Sequence, residues 1–294
     1  MVGSEAMATP QAESPGRITV TPLAGTLGAE VSGVDLSGPI EEATFRELRQ
    51  ALLDHLVIFF RNQPLTPEQH IAFGERFGEL HVHPYIPNLD GYPQIIKLES
   101  ADAGPGQMAY QSNTWHTDLT YQAEPPMASI LHGIVVPEAG GDTMWNNLYA
   151  AYDGLSAPMR GLVDDLTAVH NIVSSMPADF LEQNWAPKQL ERLQEFTPPV
   201  EHPVVRTHPE TGRKCLFVNR NFTSHIAGLH RTESDALLAL LYKHIEQPEF
   251  VVRFKWRANS IAMWDNRCTQ HYALVDYRSK RIMHRVTVCG DRTY

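Results

Sequence analysis

The chain has no basic tract: 34 acidic residues outnumber 24 basic ones, for a formal charge of −10. That balance argues against a nucleic-acid partner, because phosphates are held by clustered Lys and Arg. No apolar run reaches membrane-spanning length, and no basic segment precedes an apolar one at the N-terminus, so neither a membrane partner nor a signal peptide is expected. Met1 to Gly16 is small, polar and Pro-containing, and reads as a disordered tail ahead of a single domain over 17–294. Cysteine is scarce: Cys215, Cys268 and Cys289 match no disulfide or zinc spacing, which points to a reducing, cytoplasmic compartment. Internal repeats and a G-x-G-x-x-G loop are also missing, which weighs against Rossmann and P-loop enzymes.

What is present is strand pattern interrupted by a few well-marked helices. Residues 18–22 and 28–36 alternate apolar and polar as half-buried strands do. From Glu41, Phe45, Leu48 and Leu52 recur at helical spacing, and Leu56-Val57-Ile58-Phe59-Phe60 then reads as a buried strand. Thr66-Pro67-Glu68-Gln69 combines an N-cap, a first-turn proline and a capping-box glutamine, opening a helix that buries Phe73 and Phe77. Further strands are expected over 94–98, 129–136, 143–147, 204–208 and 214–218, and three more, over 250–256, 260–264 and 281–289, close the chain. One helix should start at Ser156, with Met159, Leu162, Val163 and Leu166 on its inner face, and another at a cap formed by Thr232. The Pro-, Gly- and Asn-rich stretch 79–113 reads as a lid or binding loop. Many strands without regular strand-helix alternation predict a mainly β fold, an antiparallel core with helices packed outside it.

Chemistry is sought among 14 histidines. His132, His170, His202, His208, His225, His230 and His244 read as structural or solvated. His116 and Asp118 differ, because residues two apart on a strand point to one face. Late in the chain the apolar strand Ile261-Ala262-Met263-Trp264 runs into a polar turn that delivers His271. Two imidazoles and one carboxylate make a face that leaves three octahedral positions open and suits non-haem Fe(II). The same ligands would serve a zinc hydrolase, and a non-catalytic jelly-roll binding protein could simply pair His116 with Asp118. The strand from Arg281 to Val288 discriminates. Its odd positions share a face, so Arg281 and Arg285 project together, and adjacent guanidiniums repel unless anions separate them. Two anionic ligands near the metal are therefore predicted, for which a zinc hydrolase has no use.

With these residues in place, the chain resembles the taurine/alpha-ketoglutarate dioxygenase family of Fe(II)- and 2-oxoglutarate-dependent oxygenases. The matching segments are Phe77 to Pro84, Trp115 to Asp118, Gly140 to Thr143, Trp264 to Tyr272 and Arg281 to Gly290. The resemblance implies a double-stranded β-helix, a cupin-like jelly-roll core with helical insertions, and a homo-oligomer, dimer or tetramer. It implies Fe(II) on His116, Asp118 and His271, and 2-oxoglutarate and O2 as co-substrates, with Thr143 and Arg281 on the distal carboxylate. It places His83 and Arg285, assisted by the backbone near Leu119, on the sulfonate of a small anionic substrate such as taurine. Hydroxylation next to the sulfonate then releases sulfite and an aldehyde, with succinate and CO2 from the co-substrate. The amine end departs from the family pattern. Ile86 and Ser112 stand where tyrosine and asparagine are expected, and Ile172 replaces one wall aromatic while Phe222 fits the other. An alkyl sulfate ester or another small organic acid is accordingly the alternative substrate.

Overall fold

The computed structural model describes residues 18–84, 86–100, 113–175, 193 and 195–294. The tail read at 1–16 and, within the lid stretch, positions 85 and 101–112, Ser112 among them, lie outside them. The strands are β1 (Thr19–Pro22), β2 (Ala29–Ser32), β3 (Val57–Phe60), β4 (Asn88–Leu89), β5 (Tyr92–Ser100), β6 (Ala128–Val135), β7 (Thr143–Asn147), β8 (Thr167–His170), β9 (Val200–Pro203), β10 (Val205–Thr207), β11 (Lys214–Leu216), β12 (Thr223–Ile226), β13 (Val251–Phe254), β14 (Ile261–Asp265), β15 (Thr269–Ala273) and β16 (Arg281–Val288). The helices are α1 (Glu42–His55), α2 (Pro67–Glu75), α3 (Leu148–Asp153), α4 (Ala157–Val163) and α5 (Arg231–Ile245).

An eight-stranded sheet runs β1-β2-β3-β14-β6-β16-β5-β4, and a three-stranded sheet runs β13-β7-β15. Apart from the parallel β2–β3 pair, the described pairings are antiparallel. The two sheets face each other through an aromatic layer. Phe59 on β3 stacks on Phe254 of β13 at 4.1 Å and meets Trp145 of β7 edge-on, and Trp145 in turn touches Trp264 of β14. This is the expected jelly roll with helices outside it.

Strand parity explains why the large sheet reads as apolar runs instead of alternation. Val57 and Phe59, Ala262 and Trp264, and Met283 enter the core between the sheets. Their neighbours Ile58 and Phe60, Ile261 and Met263, and Val286 and Val288 enter a second core under α1 and α2. A sheet covered on both faces needs apolar residues at both parities. Helix α2 starts as the sequence predicts: the Gln69 amide donates to Thr66 Oγ1 and Thr66 N–H donates to Gln69 Oε1. Such a cap contributes about 1 kcal/mol.

Several local expectations are corrected. His116 and Asp118 do not lie on a strand: His116 forms an isolated bridge and Asp118 opens a turn. The polar turn expected after Trp264 is present and leads to His271, which itself sits inside β15, paired with β7 along its length. The cap of α5 is His230, with Glu233 accepting its N–H, so Thr232 is already helical. Leu162 points outward from α4. The strand expected over 94–98 is present but longer: β5 runs from Tyr92 to Ser100, held in line by its pairing with β16.

Candidate active site

The site lies where a loop from one side of the jelly roll meets strands of both sheets. His116 N–H donates to the His271 carbonyl at 3.1 Å and His271 N–H donates to the His116 carbonyl at 2.8 Å. This reciprocal bridge sets the imidazoles side by side, ring centroids 4.1 Å apart. Nδ1–H of His116 donates to the Thr114 carbonyl at 2.7 Å, which leaves its Nε2 lone pair as the ligand atom. Nε2 of each histidine lies 3.9 Å from Oδ1 of Asp118. Ligand atoms from all three buried residues fall within 4.8 Å of one another.

The Asp118 turn is clamped from several directions. Asn266 accepts from the Asp118 amide at 3.0 Å and donates to the Asp118 carbonyl at 3.1 Å and the Pro126 carbonyl at 3.2 Å. Thr117 Oγ1 donates to the Thr269 carbonyl. Beyond it, Leu119 adopts a left-handed conformation (φ 53°), and Thr120 is held by His170 and Asn219. On the carboxylate itself, Ser129 on β6 donates to Oδ2 and Arg285 on β16 donates to Oδ1 at 2.8 Å. Burial pushes the Asp118 carboxyl up, but the charges of Arg285 and the two imidazoles, with the Ser129 bond, outweigh burial and hold it below the ordinary carboxylate range. Burial lowers the His116 pKa and takes His271 down to about 3, so both imidazoles are neutral donors at neutral pH. A metal-binding His must be neutral and a metal-binding carboxylate ionised. The donor set therefore fits a divalent cation that accepts nitrogen and oxygen and keeps open positions.

Arg281 and Arg285 share the inner face of β16 with Met283, as parity requires. Four residues of strand separate them by about 13 Å. Both are buried, and Nε of each lacks a hydrogen-bond partner among the described residues. An orphaned guanidinium donor in a dry site suits an anion. Arg281 packs against Tyr277 and Gly141, where a Cβ would meet Tyr277 Cδ1 at 3.1 Å and Arg281 at 3.4 Å. Gly141 also needs its positive φ of 69°. Thr143, on β7, is buried and accepts from Trp256 Nε1 at 2.9 Å, leaving its own hydroxyl proton available to an acceptor. The Arg281 side of the site thus fits a carboxylate.

His83 is buried, and its Nδ1 accepts from the Ile86 amide at 2.9 Å, which puts the ring proton on Nε2. Burial, aided by the nearby charge of Arg285, takes it down to about 4, so it is a neutral donor. Beside His116 lies a separate apolar cluster of Leu119, Tyr121, Ile172, Leu193 and Phe222, with the Phe222 ring 6.4 Å from that of His116. His116, Asp118, His271, Arg285, Leu119 and Phe222 are linked by the contacts above, and His83 joins them through Arg285.

Sequence reasoning missed Ser129 and Asn266, whose partners are remote in the chain, and the role of Tyr277. A second buried group, His208, Asp265 and Cys268, also has metal-ligand chemistry. There, Arg267 engages both oxygens of Asp265 and His208 takes one of them, so the carboxylate is already neutralised in an ion network. His132, His170 and His202 are buried and structural.

A family model described as taurine catabolism dioxygenase TauD, TfdA family matches residues 19–287. An alpha-ketoglutarate-dependent sulfate ester dioxygenase from Pseudomonas putida is 41% identical over 280 residues, 93% of this chain and 90% of the relative. The crystal structure of a taurine dioxygenase from Burkholderia xenovorans is 42% identical with a TM-score of 0.79, covering 94% of this chain and 90% of that one. The structure of AAD-2 in complex with Mn(II) and N-oxalylglycine is 28% identical with a TM-score of 0.79, covering 94% and 99%.

Proposed function

Because the chain belongs to the taurine catabolism dioxygenase TauD, TfdA family, we propose that it oxidises the carbon carrying the anionic head group of a small alkyl sulfate ester, holding Fe(II) through His116, Asp118 and His271. It is a 2-oxoglutarate-dependent dioxygenase, with Fe(II), 2-oxoglutarate and O2 as its working set. When bound, these supply the oxidation: 2-oxoglutarate leaves as succinate and CO2, and one oxygen atom enters the substrate C–H bond.

The residues of the chain do the positioning. Arg281 and Thr143 receive the distal carboxylate of 2-oxoglutarate. Arg285 and His83 receive the sulfate, each as a buried donor that pairs with an anion more strongly than a solvated one. Arg285 already touches Asp118, so an anion held on Arg285 sits next to the ligand set, and the carbon beside it is the one presented for oxidation. The hydroxylated ester then collapses to an aldehyde and inorganic sulfate.

The observation that carries the substrate choice is the apolar cluster of Leu119, Tyr121, Ile172 and Phe222 beside His116. It offers hydrocarbon contact to the substrate tail, where an aminoalkyl tail would need polar partners. The sulfate ester activity named for the Pseudomonas putida relative supports the same reading. A small sulfonate is the second reading, since Arg285 and His83 bind sulfonate oxygens equally well, and the Burkholderia xenovorans structure is named for taurine. The free thiols of Cys215 and Cys268, both buried, suit a reducing compartment. Turnover in air with short alkyl sulfates, alkyl sulfonates and taurine tests the assignment. Sulfate, aldehyde and succinate should form in equal amounts from the alkyl sulfates. Sulfite from taurine at the higher kcat/KM would favour the second reading, and no succinate from any of them would refute both.

A further inference from the structure

The two oxygens of Asp118 are not equivalent. Oδ1 lies 3.9 Å from Nε2 of both His116 and His271. Oδ2 instead accepts the Ser129 hydroxyl at 2.9 Å. Ser129 is fully buried on β6, between β14 and β16, opposite Trp264 and Thr287. Its neighbours along the strand, Ala128, Ile130 and Leu131, are apolar core. A hydroxyl in such a place costs stability unless it is bonded, and the bond it makes is to this carboxylate.

On the reading that His116, Asp118 and His271 hold the metal, we infer that Ser129 is a positioning residue that confines Asp118 to one-oxygen ligation. A carboxylate on a hard cation readily turns bidentate. Without the serine, Oδ2 becomes an unpaired acceptor in a buried site, and a cation already held on Oδ1 can satisfy it. One-oxygen ligation leaves three of six octahedral positions open; bidentate ligation leaves two. A co-substrate that binds through two atoms and a further small molecule need three. Ser129 thus keeps the last position available without touching the metal itself.

Water-proton relaxation by the Mn(II)-loaded protein counts the exchangeable waters on the ion and does not depend on turnover. Ser129→Ala, which removes an atom and adds no volume, should still bind Mn(II) but lose about one third of the inner-sphere relaxivity, three waters becoming two. Ser129→Thr, which keeps the hydroxyl, should restore it, and thermal melting checks that each variant is folded. Unchanged relaxivity in folded Ser129→Ala overturns the role of Ser129 and leaves the ligand set standing. Mn(II) binding that survives both His116→Ala and His271→Ala overturns the ligand set instead.

Discussion

Replacing Arg281 by methionine isolates the co-substrate side of the site. Arg281 is 8% exposed, so solvent does little to screen it, and its Nε has no partner among the described residues. Losing one partner of a buried charged pair costs about 2–4 kcal/mol of binding. The Kd of 2-oxoglutarate should therefore rise roughly 30- to 700-fold. The effect should stay local, because Arg285 lies about 13 Å along the same strand. Affinity for an alkyl sulfate should change less than about threefold, a margin of roughly 0.6 kcal/mol. Stability should hold or increase, since a well-packed apolar side chain replaces a buried charge with an unpaired donor. Calorimetric titration of Zn(II)-loaded protein with 2-oxoglutarate and then alkyl sulfate reads both affinities without turnover. Arg285→Gln should weaken the alkyl sulfate more than 2-oxoglutarate, and it should lower stability because Asp118 loses its 2.8 Å partner. Loss of both ligands to the same degree in each variant, or a 2-oxoglutarate Kd unmoved by Arg281→Met, would refute the division of labour between the two arginines.

Other outcomes follow from the same contacts. Asn266→Ala removes one acceptor and two donor contacts around Asp118 and Pro126; it should cost about 3 kcal/mol and weaken Mn(II) binding, and a urea midpoint equal to wild type would contradict the clamp. Gly141→Ala places a Cβ against Tyr277 and Arg281 at a φ of 69°; 2-oxoglutarate affinity should fall while Mn(II) affinity in its absence holds, and equal losses in both would count against a local effect. Burial takes His70 down to about 3 and His132 to about 4, against an ordinary value of 6.5. Both stay neutral in the fold while the unfolded chain protonates. Their contribution is full above pH 6.5, declines as pH falls below it, and levels off near pH 3 to 4. Each group contributes a slope of about 1.4 kcal/mol per pH unit in that window. His70→Gln should flatten the urea-midpoint profile between pH 6 and 4, and an unaltered slope would show that His70 is not the group responsible.

How much of this was legible in the chain depends on how local each cause is. The capping box at Thr66 and the shared face of Arg281 and Arg285 are set by neighbours within a few residues, and both appear as read. The convergence of His116 with His271 was a correct pairing drawn from an incorrect local picture. A cross-chain bridge places them, not a strand at 116–118, and bridges of that kind leave no periodic trace. Helix α3 escaped because Leu148, Tyr149, Ala151 and Tyr152 are all buried, which erases the one-sided stripe that marks a helix. Asn266 reaches Asp118 across 148 residues, and Ser129 meets its oxygen only once β6 has paired in register with β14 and β16. A serine in an apolar strand was the one available signal, since a buried hydroxyl must find a partner.

The central claim is that His116, Asp118 and His271 bind the metal on which the oxidation depends. Equilibrium dialysis of Fe(II) under anaerobic conditions tests it directly on the wild-type chain and on His116→Ala, Asp118→Ala and His271→Ala. One ion per wild-type chain and loss of binding in each variant is the predicted result. Retention of a stoichiometric ion by all three variants would contradict it, and loss of that ion in Asp265→Asn instead would move the metal to the group formed by His208, Asp265 and Cys268.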